Sequence, residues 1–366
     1  MKTLLIVVAI IAVLVAVIWF AGAHFLNSSA LDAADAERIA SHFPPHGGNE
    51  TAKVVDELAV SLPDTPPIRA AISEHLSRVI ATGSDAVDAP PAALAGWLAA
   101  HATEIRTLQQ QLVTRESPQW AVGPGVPLPR LVAHMKVFRV LSLDALEQHR
   151  AGNGAMAWND LQASWKLAQG LLARPELISQ LIAIAGARMS NGVAAKLSAP
   201  APAWRHELAS FDFGGAAVAA MGYESTESLR SAPPHEGVHA LRRRFQAGLA
   251  LESQRQIAKE LASSRACDPH PRLPRGTPNI AEAWRRIGRF RAEVEGVEKL
   301  LALKAARAQS GSWPQFMPSI ESSSCSDGRW RYRREADGSM SLAFSKPIAV
   351  ASSQTTVVPL AFRYGR

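Results

Sequence analysis

The chain has 366 residues, of which 47% are hydrophobic and 19% are charged. This balance excludes an intrinsically disordered chain and is typical of a folded protein with a sizeable core. The formal net charge of +7 is unevenly spread, because residues 24–230 carry 16 basic and 20 acidic residues whereas residues 231–366 carry 22 and 12.

The first element is an uncharged apolar segment, Leu4–Ala23. A helix of this length spans roughly 30 Å, the thickness of the hydrocarbon core of a bilayer. Lys2 precedes the segment and an acidic stretch follows it, so the positive-inside tendency leaves residues 1–3 in the cytoplasm and exports the rest. A cleaved secretory signal is the alternative, because Ala21-Gly22-Ala23 resembles a cleavage site, although such signals have only about 7–15 apolar residues. We therefore expect a single-pass protein of the bacterial inner membrane whose bulk is periplasmic.

Residues 24–198 are predicted to form an exported helical domain. Apolar residues recur there at spacings of three and four, and prolines separate the periodic segments. The predicted helices cover residues 50–62, 67–82, 92–113, 131–145 and 158–172, and a sixth begins at Pro175. Short connections between the last three predict antiparallel neighbours, packed as a helical-hairpin bundle or a short solenoid.

The C-terminal part changes character twice. Residues 199–278 are expected to be a helical region with Pro-rich loops, in which a less regular stretch precedes a helix over about 235–263. Thr277 and Pro278 favour the start of a long helix that ends near Ser310. Two-residue alternation then predicts three strands, over residues 329–333, 340–344 and 355–362, with a turn at Asp337-Gly338 between the first two. The fold class is thus mainly α, and residues 279–366 are expected to combine a long helix with a small antiparallel β module packed on it.

Within this last region, residues 300–344 are similar to the C-terminal part of pseudopilins. The likeness rests on a helix that runs into Gly311-Ser-Trp313-Pro314, followed by Gly328-Arg-Trp330-x-Tyr332 and by Gly338. Pseudopilins also carry a processing signature before their apolar helix, and Met1-Lys2-Thr3 does not match it. The resemblance therefore implies the local shape and not the secretion function.

One motif suggests metal chemistry. His235-Glu236-Gly237-Val238-His239 matches H-E-x-x-H, in which two histidines one helical turn apart bind zinc and the glutamate activates water. Pro234 places the motif at a helix start, and a catalytic zinc needs a third protein ligand, for which Glu260 is the candidate. A zinc-dependent hydrolase is therefore an alternative, and the main expectation is that the protein has no cofactor.

Clusters of arginine could bind anions. They comprise Arg242, Arg243 and Arg244, and Arg285 with Arg289, which lie one helical turn apart. Guanidinium groups bind phosphate or carboxylate, so the chain could be a binding module for an anionic envelope polymer. Glu282, Glu293 and Glu295 also permit pairing within the long helix, which is the simpler interpretation.

The two cysteines, Cys267 and Cys325, suggest a disulfide, because an exported chain meets an oxidising compartment. Cys267 precedes the long helix and Cys325 follows it, so a bridge requires the chain after Gly311 to double back along the helix.

No complete catalytic set emerges from the sequence, and nucleic acid is an unexpected partner outside the cytoplasm. The main functional expectation is a non-catalytic, membrane-anchored scaffold or protein-interaction protein of the cell envelope, held in the membrane by residues 4–23 and bound to an envelope protein. The zinc hydrolase and the polymer-binding module remain the alternatives.

Overall fold

A computed structural model of the chain describes residues 41–123, 125–198, 200–230, 256–257, 259–260, 278–317, 320–348 and 358–365. In this part of the chain, ten helices and three strands are assigned. The helices are α1 Glu50–Ser61, α2 Pro66–Ala81, α3 Ala92–Ala100, α4 Ala102–Thr114, α5 Leu131–Arg150, α6 Gly154–Leu172, α7 Leu177–Ala194, α8 Arg205–Ser210, α9 Phe213–Arg230 and α10 Pro278–Ser310. The strands are β1 Trp330–Arg334, β2 Met340–Phe344 and β3 Ala361–Tyr364. The prediction of a mainly α protein with a small antiparallel sheet is confirmed.

The centre of the fold is formed by α5, α6 and α7, which follow one another through short connections and pack together. Their shared interior contains Phe138, Leu161, Trp165 and Ala187, all almost completely buried. The outer helices cover this centre, with α1 and α2 on α5 and with α4 on α6. This arrangement explains why the single helix predicted over 92–113 is interrupted at His101: α3 packs on α2, whereas α4 packs on α1 and α6.

The stretch after the Pro-rich residues 199–202 differs from the prediction, because it forms α8 and α9 instead of an irregular segment. Its many small residues weaken the apolar period by which a helix is recognised. Tertiary contacts stabilise this segment despite its weak apolar period. Phe211 and Phe213 pack edge-on against Trp165, and Phe213 also packs against Phe290 of α10.

The long helix α10 lies across the centre of the fold, in contact with α7, α8 and α9. Its buried face contains Ile287, Phe290, Val294, Val297 and Leu301, as the spacing predicts. The helix stops where Gly311 adopts a positive φ of 73° and donates its N–H to Arg307 O, a conformation in which a side chain would be strained.

Beyond Gly311 the chain doubles back along α10. Trp330 at the start of β1 lies over Gly296, where an added Cβ would come within 2.4 Å of the indole ring. Gly296 is about 15 residues before the end of the helix, so the return covers roughly 22 Å. The β module thus begins against the middle of α10, after the doubling back that a Cys267–Cys325 bridge would require, and the bridge itself stays a prediction.

The sheet has the order β1-β2-β3, and both pairs are antiparallel. Alternate residues Trp330, Met340, Leu342, Phe362 and Tyr364 face the core. Two hydrogen bonds join β3 to residues just beyond the ends of α2 and α7: Arg363 N–H donates to Gly83 O over 2.7 Å, and Tyr364 Oη donates to Ala195 O over 2.7 Å.

A single hydrophobic core runs from Ala52 to Tyr364 in the described residues. It contains residues on both sides of the boundaries predicted at residues 198 and 278, and the domain division stays a prediction. Among the described residues no helix is long and apolar enough to cross a membrane. The segment Leu4–Ala23 lies outside the described residues, and membrane anchoring stays a prediction.

Candidate functional site

A cleft of about 550 Å³ opens where the start of α9, the middle of α10 and the loop before β1 meet. Aromatic rings, acids, an arginine and serines line it together. The lining comprises Ala209, Ser210, Phe211, Asp212, Phe213, Gly214, Gly215, Val218, Trp284, Arg291, Val294, Glu295, Glu298, Ser323 and Ser324. We call this feature the α9–α10 cleft.

The α10 wall presents Trp284, Arg291, Glu295 and Glu298. Their spacings of seven, four and three residues place them on one helix face, next to the buried face. The indole of Trp284 is half-buried and rests against Gly214 on the opposite wall, whereas Arg291 is exposed at the rim.

Glu298 is fixed from behind by Arg205. The side chain of Arg205 is buried, and its Nε donates to Glu298 Oε1 over 3.0 Å while its Nη2 also donates to Asn191 Oδ1 over 3.0 Å. Burial lowers the pKa of Arg205, and the Glu298 carboxylate opposes this change. Glu298 Oε2 forms no hydrogen bond among the described residues, so one carboxylate oxygen is available to a ligand.

Asp212 forms the opposite rim by capping the start of α9. Its Oδ1 accepts a hydrogen bond from Gly215 N–H over 3.0 Å, which satisfies one of the free N–H groups of the first helical turn. The side chain is exposed, so it contributes a second carboxylate to the cleft.

The loop before β1 forms the third side, and Glu295 holds it. The Glu295 carboxylate accepts hydrogen bonds from Ser322 Oγ over 2.8 Å, from Ser324 N–H over 3.2 Å and from the Trp330 indole N–H over 3.0 Å. Because one side chain of α10 binds the loop at several points, the cleft has a defined wall on this side.

A buried ion network lies behind the cleft. Arg188 of α7 donates two hydrogen bonds to Glu293 of α10, from Nε over 2.5 Å and from Nη2 over 2.6 Å, and Arg289 Nε donates to the same carboxylate over 2.8 Å. Arg289 also donates to Ile348 O and Val358 O at 2.6 and 3.2 Å. Burial raises the pKa of Glu293, and both guanidinium groups oppose the rise.

This network changes the interpretation of the arginine cluster on α10. Arg289 is buried and engaged, so it does not share an accessible anion site with Arg285. Arg285 itself pairs with Glu282 at 3.0 Å, which is the intrahelical pairing that the sequence permits. Arg242, Arg243 and Arg244 lie outside the described residues, and anion binding there stays a prediction.

The motif residues His235, Glu236 and His239 also lie outside the described residues. Glu260 is described and partly exposed, and no group of three or more potential metal ligands occurs in the described part of the chain. The zinc alternative and the expectation of no cofactor both stay predictions. Cys325 is fully buried, and its predicted partner Cys267 is not among the described residues.

The sequence did not reveal the α9–α10 cleft. Phe211 and Asp212 fell in a stretch that was predicted to be irregular, and Glu295 was considered only as a partner for arginines. The one usable signal was Asp212 directly before Phe213-Gly214-Gly215, a capping residue at a helix start. No protein-family model, curated protein or solved structure matches the chain, so the likeness of residues 300–344 to pseudopilins also stays a prediction.

Proposed function

We propose that the protein is a membrane-anchored scaffold or protein-interaction protein of the cell envelope, and that the α9–α10 cleft holds a segment of its protein partner. The anchor is the segment Leu4–Ala23, which leaves the cleft on the exported side. The function would be to hold the partner at the membrane, without catalysis.

The composition of the cleft carries this proposal. Tryptophan and arginine are the residues that most often dominate the binding energy of protein interfaces, and here Trp284 and Arg291 lie on one face of a helix. Serine hydroxyls and the open oxygen of Glu298 supply polar contacts around the ring. A partner segment could place an apolar side chain on Trp284 and a lysine or arginine against Glu298.

The rigidity of the walls supports binding as well. Asp212, Glu295 and Glu298 each hold one wall through a hydrogen bond, so these three side chains lose little freedom when a partner binds. A preformed site of this kind suits a lasting contact between two proteins.

The test is a photo-reactive amino acid at position 210, an exposed position that lines the cleft, in the full-length chain expressed in its own cells. We expect irradiation to yield a covalent product with one envelope protein, which mass spectrometry identifies. The same amino acid at position 115, which is exposed and does not line the cleft, is the matched control.

The second part of the test is a charge reversal at residue 291. Arg291→Glu should reduce co-purification of that protein several-fold without lowering the melting temperature, because residue 291 is exposed and makes no contact that holds the cleft. Equal products from positions 210 and 115, or undiminished co-purification of Arg291→Glu, would contradict the proposal.

A further inference from the structure

A second surface of the molecule is apolar and open. It is a shallow groove of about 540 Å³ between the end of α1 and the start of α5, lined by Val60, Asp64, Leu128, Pro129, Arg130, Leu131, Val132, Ala133 and Lys136. Val132 is 77% exposed, Leu128 52% and Val60 48%. Large side chains exposed side by side on a folded surface indicate a contact with another apolar phase or partner.

The path of the chain identifies that phase. The first described residues reach the bundle next to the groove, since His46 and Val122 exchange backbone hydrogen bonds of 3.1 and 3.0 Å. Residues Gly48 and Asn49 share a depression with Arg130, which also lines the groove. Residues 24–45 separate His46 from the predicted anchor Leu4–Ala23, a span of at most about 75 Å when fully extended.

One exposed cation, Arg130, borders the groove, and Glu50, Asp56 and Glu57 line the depression on its other side. Arg130 is exposed, and its guanidinium has no hydrogen bond or ion pair among the described residues. Lys136 donates to Leu62 O over 2.5 Å, and Asp64 is paired with Arg69 at 2.9 Å, so Arg130 is the cation left for a phosphate. Apolar side chains flanked by arginine are typical of surfaces that lie in the membrane interface.

We propose that this groove lies on the exported surface of the membrane that holds the anchor, with Leu128 and Val132 in the interfacial layer and Arg130 on a lipid phosphate. The inference rests on the membrane anchoring in the proposed function. Because the anchor keeps the groove close to the bilayer, a weak contact is enough to orient the domain. The far end of α2 then points away from the membrane, since this helix starts at Pro66 near the groove and extends about 24 Å.

The test uses the full-length chain in nanodiscs of phosphatidylcholine and phosphatidylglycerol, with an environment-sensitive fluorescent amino acid at position 132. Lipids brominated on their acyl chains should quench this probe several-fold more strongly than a probe at position 316. Phe316 is the matched control, because it is apolar and 79% exposed. It follows α10 near Trp313, whose indole N–H donates to Gly365 O, directly after β3. Strand β3 is in turn hydrogen-bonded to Gly83, just beyond the end of α2 that is far from the groove.

A second variant tests whether the quenching at position 132 depends on the apolar surface of the groove. Leu128→Glu should abolish most of the quenching at position 132 and leave the circular dichroism spectrum unchanged, because residue 128 is largely exposed. Equal quenching at positions 132 and 316 would overturn the proposal, and so would undiminished quenching at position 132 in Leu128→Glu.

Alkaline extraction separates this inference from the anchoring itself. If the chain stays in the membrane fraction and the probe at position 132 is unquenched, the anchor is present and the groove contact is refuted. If alkali releases the chain from the membrane, the anchor and the groove proposal that rests on it are both refuted.

Discussion

At the scale of single residues, the least expected feature is a pair of carboxyl groups inside the bundle. Asp160 of α6 is fully buried, and its Oδ1 accepts a hydrogen bond from Gln109 Nε2 over 2.6 Å. Its Oδ2 is buried without a hydrogen-bond partner among the described residues, and the carboxyl of Asp144 on α5 is near enough for its charge to act on Asp160. Burial, and then the charge of Asp144, raise the pKa of Asp160 well above its usual value, so Asp160 keeps its proton to a higher pH in the folded chain than in the unfolded chain.

This pair predicts how stability depends on pH. A folded-state pKa above the unfolded one means that the native chain keeps a proton that the unfolded chain has lost above about pH 4. The free energy of unfolding therefore falls as pH rises from about 4 through the raised pKa. Asp160→Asn removes this loss and keeps the acceptor for Gln109, so we expect it to stabilise the protein by on the order of 1 kcal/mol at pH 7.5.

Denaturant unfolding at pH 5 and pH 7.5 measures the effect. Asp88→Asn, which removes an exposed carboxyl, is the control and should leave the pH dependence unchanged. A loss of stability in Asp160→Asn at pH 7.5 would contradict the raised pKa of Asp160.

At the scale of elements, α10 joins the helical bundle to the β module through Glu293. This one carboxylate receives Arg188 from α7 and Arg289 from its own helix, and Arg289 reaches the segments around β3. Breaking a buried pair is far more costly than breaking a surface pair, because it leaves an uncompensated charge inside the protein.

We therefore expect Glu293→Ala to lower the free energy of unfolding by about 3–5 kcal/mol. The matched control is Glu282→Ala on the same helix, whose pairing with Arg285 is partly exposed and should contribute at most about 1 kcal/mol. Urea unfolding of both variants at neutral pH gives the comparison. Similar losses in the two variants would show that the buried network does not hold the module.

At the scale of the whole molecule, the return of the chain along α10 brings Cys325 to the same part of that helix as Glu295. We expect Cys325 to be bonded to Cys267, which lies 11 residues before the start of α10. Such a bridge closes a loop of about 58 residues and would stabilise the fold by about 4 kcal/mol in the chain-entropy model.

Mass spectrometry of the unreduced chain should find the two cysteine peptides linked, and reduction should lower the melting temperature. Complete alkylation of both thiols in protein taken from an oxidising envelope would refute the bridge, although the observed doubling back would stand.

The sequence by itself determined the local structure. Apolar spacing and proline positions located α1, α2 and α5–α7 to within a few residues, and two-residue alternation located β1 and β2, because these signals depend only on near neighbours. It also determined the apolar segment Leu4–Ala23 and thus the expected location.

Only the tertiary structure decided which charged residues are buried and where the cleft lies. Arg285 and Arg289 are equivalent in the sequence, yet one is partly exposed and the other is enclosed. The difference comes from Arg188, which meets Glu293 from 105 residues away, and no local pattern encodes such a contact. The α9–α10 cleft likewise depends on three segments that are distant in the chain, so its chemistry appeared only when they were packed together.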